Sequence, residues 1–242
     1  MQKISLILAT GFLGTLLAGG AVAAPADPNV APDNAWHLLS EGNDRFANGM
    51  ALKPHADADR RRTVARNEEP FAVVVGDADS RVVPELIFDQ GLGDLYVLRA
   101  AGSPAEGDYS IGSIEHAVKD LGVRLVVVLG SEDSWAVKLA LKGTKKDSQT
   151  RMADLAARLK PATDEAKDKV GGDEGESLKG DAVERNVLFQ IHNLLKGSPL
   201  IDAKVEAGDI KVIGGVYSLE NGRVRWLGQH PSEKAILEGK KP

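Results

Sequence analysis

Two polar clusters in this sequence carry the residue types that could do chemistry, and each follows directly on a run of valines and leucines. FAVVVG (71–76) leads into Asp77, Ala78, Asp79, Ser80 and Arg81, and RLVVVLG (124–130) leads into Ser131, Glu132, Asp133, Ser134 and Trp135. Charge at the end of a buried run is costly unless it is paired or bound to a cation. Asp79 and Arg81, two residues apart, are the natural pair: a bidentate carboxylate–guanidinium contact locks a loop and can also receive a small anion. Asp77, Ser131, Asp133 and Ser134, with Asp79, offer oxygen donors only, the kind that suits magnesium, calcium or manganese. A plainer role competes for part of this set. Glu132, Asp133 and Ser134 precede the helical stretch WAVKLALKG, where capping and the helix dipole favour them with no ligand at all.

Other chemistries find less support. Gly130 and Ser131 lie on a strand-to-helix turn, but the G-x-S-x-G elbow is absent and no histidine can be assigned as a base. His116 falls among core-spaced residues of IGSIEHAVKDLG and reads as a structural histidine. His37, His55, His192 and His230 show neither H-x-H nor H-x-x-x-H spacing, which weakens a histidine metal site. There is no cysteine, hence no thiolate ligand and no disulfide. Trp36, Tyr109, Tyr217 and Trp226 read as packing or interface residues.

The elements that must position the two clusters follow from periodicity. An amphipathic helix is expected from Asn34, capped by Asp33 or Asn34, with Leu38, Leu39 and Phe46 at helical spacing. Residues 51–69 have many charges and no strong period. FAVVVG (71–76), DLYVLRAA (94–101) and RLVVVLG (124–130) read as strands, with helices over 111–122 and 135–143 between and after them. Near-continuous Val/Leu strands alternating with helices imply a parallel sheet covered on both faces, with functional loops beyond the carboxyl ends of its strands. Residues 147–170 read as exposed helices interrupted at Pro161, and 171–180 as a flexible loop. A core-spaced helix follows with Val183, Val187, Ile191 and Leu194. IKVIGGVYSLENGRVRWLG closes the fold, with Asn221 and Gly222 as a two-residue hairpin turn.

Size and charge bound the function. The chain has 242 residues, 43% of them hydrophobic, enough for one sizeable core, and a net charge of −5. The only basic run is Arg60–Arg62, so a nucleic-acid partner is not expected. The first 24 residues have a lysine, an apolar stretch and an A-x-A pattern at 21–23, the form of a secretory signal peptide. Cleavage after Ala23 or Ala24, a flexible leader over 25–33 and one domain over 34–242 are therefore expected. So is a periplasmic or secreted protein with no membrane attachment after cleavage.

From LLSEGNDRF through DADSRVVPELIFDQGLGDLYVLRAAG and IGSIEHAVKDLGVRLVVVLG to AVERNV and IKVIGGVYSLENGRV, the sequence resembles the β-class carbonic anhydrases. The resemblance implies a β-carbonic-anhydrase-like α/β fold: a mainly parallel central sheet flanked by helices, with an N-terminal helical arm that packs on its own domain or, as the resemblance favours, on a partner subunit. It also implies a homodimer or higher homo-oligomer. Members of that family hydrate carbon dioxide to bicarbonate at a zinc ion held by Cys, His and Cys, with an Asp/Arg pair beside it. In the family frame C-x-D-x-R, this chain has Asp77, Asp79 and Arg81; in the frame G-H-x-x-C-G it has Gly130, Ser131, Ser134 and Trp135. The resemblance thus puts Asp77, Ser131 and Ser134 at the zinc-ligand positions, retains Asp79 and Arg81, and puts Trp135 where it could fill the space of metal and water. Neutral hydroxyls are poor zinc donors, and one carboxylate does not replace two thiolates and an imidazole. No cofactor is expected. The reading is an exported zinc-free pseudoenzyme with a binding, regulatory or structural role and a small anion such as bicarbonate as candidate ligand. The alternative is an active carbonate dehydratase, or a related small-molecule lyase or hydrolase, using another metal or a metal-free Asp79/Arg81 site.

Overall fold

In a computed structural model, residues 30–145, 150–170 and 175–239 are described. The expected signal peptide, most of the leader and residues 171–174 of the glycine-rich loop fall outside them. The strands are β1 (Ala72–Gly76), β2 (Leu95–Arg99), β3 (Leu125–Ser131), β4 (Lys211–Tyr217) and β5 (Val224–Gly228). They form one sheet in the order β2-β1-β3-β4-β5, with β5 alone antiparallel. The helices are α1 (Pro32–Ala47), α2 (Ala58–Val64), α3 (Pro84–Ile87), α4 (Gly107–Lys119), α5 (Trp135–Lys142), α6 (Met152–Val170), α7 (Glu176–Gly197), α8 (Pro199–Glu206) and α9 (Glu233–Leu237).

Every residue of β1 and β3 is buried, because both faces of the sheet are covered, which is why these strands read as unbroken apolar runs rather than alternating ones. Val73, Val75, Val126 and Val128 face α4, α7 and α8 through Ile114, Val118, Val187, Ile191 and Ile201. Val74, Val127 and Leu129 face the other way, toward Leu39 of α1, Ile87 of α3 and Phe88. A smaller cluster of Ala136, Ala140, Ala156 and Leu159 joins α5 to α6.

Several boundaries differ from expectation, each for a physical reason. α1 starts at Pro32, inside the segment read as leader, because proline suits the first helical position, where its missing N–H goes unused. Within the chain it buries Ala35 and Leu39, and its Asn43 amide donates to the carbonyls of Ile87 and Gly222. α6 runs through Pro161, and its face is not exposed, since Ala156, Leu159, Ala162, Thr163 and Ala166 are buried. α7 begins at Glu176, so half of the expected loop is its first turn. The β4–β5 connection spans 218–223, with the Ser218 and Gly222 amides donating to the Arg223 and Ser218 carbonyls, so it is wider than a two-residue turn. His116 is not a core residue; its imidazole is 46% exposed and pairs with Asp120 one turn on.

Gly42 shows how tightly α1 is seated. A Cβ there would lie 1.8 Å from the carbonyl oxygen of Phe88. Alanine normally favours a helix interior over glycine by about 1 kcal/mol, but here the steric term has the opposite sign and wins. Gly42→Ala is expected to lower the free energy of unfolding by at least about 2 kcal/mol. Gly180→Ala in α7, where a Cβ meets nothing within 4 Å, is expected to raise it by about 0.5–1 kcal/mol. Chemical denaturation of the two variants checks both signs.

Candidate functional site

β1 connects to β2 on one side of it and β3 lies on the other, so the chain changes direction across the sheet between β1 and β3. At such a switch point the loops leaving two neighbouring parallel strands part and leave a crevice at their carboxyl ends. Asp77 follows the last residue of β1 and Ser131 ends β3, so both polar clusters meet there.

Asp77, Ser131 and Ser134 are all buried, at 1%, 0% and 3% exposure. The Ser134 hydroxyl donates to Asp77 Oδ2 at 2.7 Å, the Gly102 amide donates to the same oxygen at 3.3 Å, and the Asp79 amide donates to Oδ1 at 3.1 Å. The carboxylate is thereby joined to the loops after β1, β2 and β3. Ser134 also caps α5, its oxygen accepting from the Val137 amide at 3.5 Å, as the residue pattern suggested. The hydroxyl of Ser131 has no hydrogen-bond partner among the described residues.

Asp79 and Arg81 form the expected pair. Arg81 Nε and Nη2 donate to the two carboxylate oxygens at 3.0 and 2.7 Å, and the Arg81 amide adds a third bond at 2.9 Å. The hydrogen bonds from Arg81, opposed by partial burial, hold the Asp79 carboxyl down at about 2. Arg81 Nη2 also reaches Asp133 Oδ2 at 3.0 Å, and Lys138 binds the other oxygen of Asp133. Asp133 is therefore not a plain solvated cap residue but a bridge between the two loops, with its carboxyl held low by Lys138 and Arg81. Trp135 is the first residue of α5, next to Ser134, and is 40% exposed. The contact between Ser134 and Asp77 lies at the centre of the cluster.

Sequence reasoning missed the residues that support this cluster. Arg99, paired in register with Gly76, donates to the backbone carbonyls of Asp77 at 3.1 Å and Asp79 at 2.5 Å. A lone arginine at the end of an apolar strand was the available signal. Gly102 and Ser103 both have left-handed backbones, with φ of 79° and 55°, and this turn aims the Gly102 amide at Asp77. For Ser103 that conformation carries strain, offset by its hydroxyl donating to the Leu129 carbonyl at 2.8 Å. From α7, Asn186 donates to the Gly102 carbonyl at 2.8 Å and Gln190 accepts from the Ala105 amide at 3.0 Å. Their sequence spacing marks them only as members of a buried helix face.

Residues 72–224 match the family model described as carbonic anhydrase. Carbonic anhydrase 2 of Mycobacterium tuberculosis is 38% identical over 200 residues, 81% of this chain and 93% of that protein. The chain belongs to the β-carbonic anhydrase family. The solved β-carbonic anhydrase CcaA is 29% identical, with a TM-score of 0.63 over 79% of this chain and 94% of that one. A structure reported with two tetrameric β-carbonic anhydrases of the ascomycete Sordaria macrospora shares the fold at 20% identity, with a TM-score of 0.60 over 81% and 98% of the two chains.

Zinc is the metal that the family resemblance implies, and the donor chemistry here does not fit it. The three implied positions supply one carboxylate and two hydroxyls. One hydroxyl donates its proton to that carboxylate, whereas zinc needs anionic or imidazole donors directed at the ion.

Removing the carboxylate should expose its structural role. Asp77→Ala leaves a hydroxyl and two backbone amides buried without their acceptor and is expected to cost about 3 kcal/mol of stability. The Asp79 carboxyl should stay ionised to about pH 2. Because its folded value is depressed, the stability it contributes is present above the unfolded value near 3.8 and is lost as pH falls through about 2. Carboxyl-carbon NMR titration checks this, with Arg81→Met expected to return Asp79 toward its ordinary range.

Proposed function

We propose that this protein is an exported member of the β-carbonic anhydrase family that holds no zinc at the family's metal position and acts by binding, regulation or scaffolding rather than by hydrating carbon dioxide. The single observation that carries this reading is the hydrogen-bonded state of Asp77. Both of its oxygens accept from donors of the fold, one of them from Ser134, so the charge is already satisfied without a cation. The N-terminal signal-like segment supports export to the periplasm or beyond. The tetrameric relatives of the same fold support assembly as a homo-oligomer, and the Arg81 guanidinium, 53% exposed, offers a contact for a small anion such as bicarbonate.

The metal-free catalytic reading fits less well. An Asp79 held near 2 by Arg81 has little affinity for protons at neutral pH, and a general base works best with a pKa near the working pH. So weak a base does little to activate water, the task that a Lewis acid performs in metal-dependent hydration. One observation favours a second reading, a hard cation or a small polar ligand at the cluster: the Ser131 hydroxyl, on the loop that carries Ser134, is fully buried and has no hydrogen-bond partner among the described residues.

Elemental analysis of the purified exported chain, with carbon dioxide hydration assayed in added zinc, magnesium or manganese, tests the proposal. The expected result is no stoichiometric metal and no turnover above buffer. Stoichiometric metal with activity lost in Asp77→Ala or Asp79→Ala would overturn it. Asp77→Cys, Ser131→His and Ser134→Cys combined, with Trp135→Gly if needed, are expected to restore stoichiometric zinc binding.

A further inference from the structure

The fold brings together two histidines that lie 38 positions apart in the chain and that no spacing motif connects. His192 of α7 and His230, just before α9, have ring centroids 6.2 Å apart. Both line a cavity of about 410 Å³ between α6, α7 and the C-terminal segment, with Leu188, Phe189, Glu165 and Arg185 among its other walls. Both rings are half-buried. His230 Nδ1 accepts a hydrogen bond from the Ser232 amide at 3.0 Å, so the neutral ring carries its proton on Nε2.

We propose that His192 and His230 form an acid-sensitive clasp that holds the C-terminal segment, residues 229–237, against α7 while both rings are neutral and releases it when they take up protons. Protonation of His230 puts a hydrogen on Nδ1, pointing at the Ser232 N–H, so the bond that shapes the entry to α9 becomes a donor–donor conflict. Protonation of both rings places two like charges 6.2 Å apart in a partly dry setting. Burial lowers the affinity of each ring for protons, aided by Lys196 at His192 and by His192 at His230. What the segment would release is apolar: Ile236 is 2% exposed and packs in the main core, and the Lys196 ammonium donates to the Ile236 carbonyl at 3.3 Å.

The charged groups around the pair do not neutralise it. From α6, Glu165 faces the cavity but is held by Arg185 of α7. From α7 the other charge is Lys196, which repels. From α8, Asp202, Lys204 and Glu206 do not line the cavity, and Lys204 faces Asp209 at 3.6 Å. Lys234 of α9 and Glu238 just after it are at the surface, and Glu233 accepts from Gln229 at 2.8 Å with its second oxygen buried and unpartnered among the described residues. Burial raises the pKa of Glu233, so its protonation in acid favours the closed segment and opposes the histidines. For the histidines the sign is fixed by their depressed folded values. Their contribution is full above the unfolded value of about 6.5 and is lost as pH falls from there through the folded values.

Hydrogen exchange of the Glu233, Ile236 and Glu238 amides, which donate to the carbonyls of His230, Ser232 and Lys234, reads the clasp directly. After correction for intrinsic exchange, protection is expected to fall at least about tenfold between about pH 7.5 and about pH 5, the fall that follows if release lets the two rings together hold protons about tenfold more tightly. His192→Gln with His230→Asn, the asparagine oxygen keeping an acceptor for the Ser232 amide, is expected to remove the drop. Glu233→Gln is expected to enlarge it. Unchanged protection in the unmodified protein, an equal drop in the double variant, or loss of the drop in Glu233→Gln would each overturn the clasp. Imidazole NMR of the unmodified protein stands apart from any variant: both rings should titrate below about 6.5, and either one titrating at or above that value contradicts the proposal.

Discussion

A carboxylate buried at the end of a parallel strand must find donors inside the protein, and Asp77 finds three: the amides of Asp79 and Gly102 and the hydroxyl of Ser134. Each comes from a different loop, so satisfying one charge fixes the carboxyl ends of β1, β2 and β3 relative to one another. The requirement reaches further than these contacts. The Gly102 amide points at Asp77 only because residues 102 and 103 adopt left-handed backbones, and that turn is held from α7 by Asn186 and Gln190. The buried polar layer and the apolar packing of α7 against the sheet are therefore one construction, and neither stands without the other.

The charged pair beside it obeys different physics. Asp79 and Arg81 bind each other through three hydrogen bonds, and Arg81 extends to Asp133, so the loops after β1 and β3 are also linked at the surface. There Arg81 is open to water, and solvent screening limits what such contacts add to stability. Their effect is on shape and on charge state: the loop is rigid, and its carboxylate is a weak base. A carboxylate held in this state is poorly suited to taking up a proton near neutral pH.

Much of this was legible in the sequence because the signal lay in local pattern. The valine runs gave β1 and β3 to within a residue or so, and the glycine and charge after them located the switch-point loops. Asp79 with Arg81 was readable from type and spacing alone, and Ser134 as a cap from its place before an apolar helix. What was not legible depended on packing between distant segments. Pro161 lies within α6 because α5 and α7 bury the helix on both sides of it, overriding a local breaker. Arg99, Asn186 and Gln190 act on backbone groups of other loops, which no spacing rule encodes. His192 and His230 carry no local motif either, because it is the return of the chain after β5 that makes them neighbours.

The central claim is that the oxygen of Ser134 rests on Asp77 where a metal ion would otherwise have to fit between them. X-ray data collected on both sides of the zinc absorption edge, from crystals of the protein grown with excess zinc, test it most directly. The account predicts no anomalous peak between residues 77, 131 and 134, with the Ser134–Asp77 contact near 2.7 Å intact. A zinc peak within bonding distance of Asp77, with that contact broken, would contradict it.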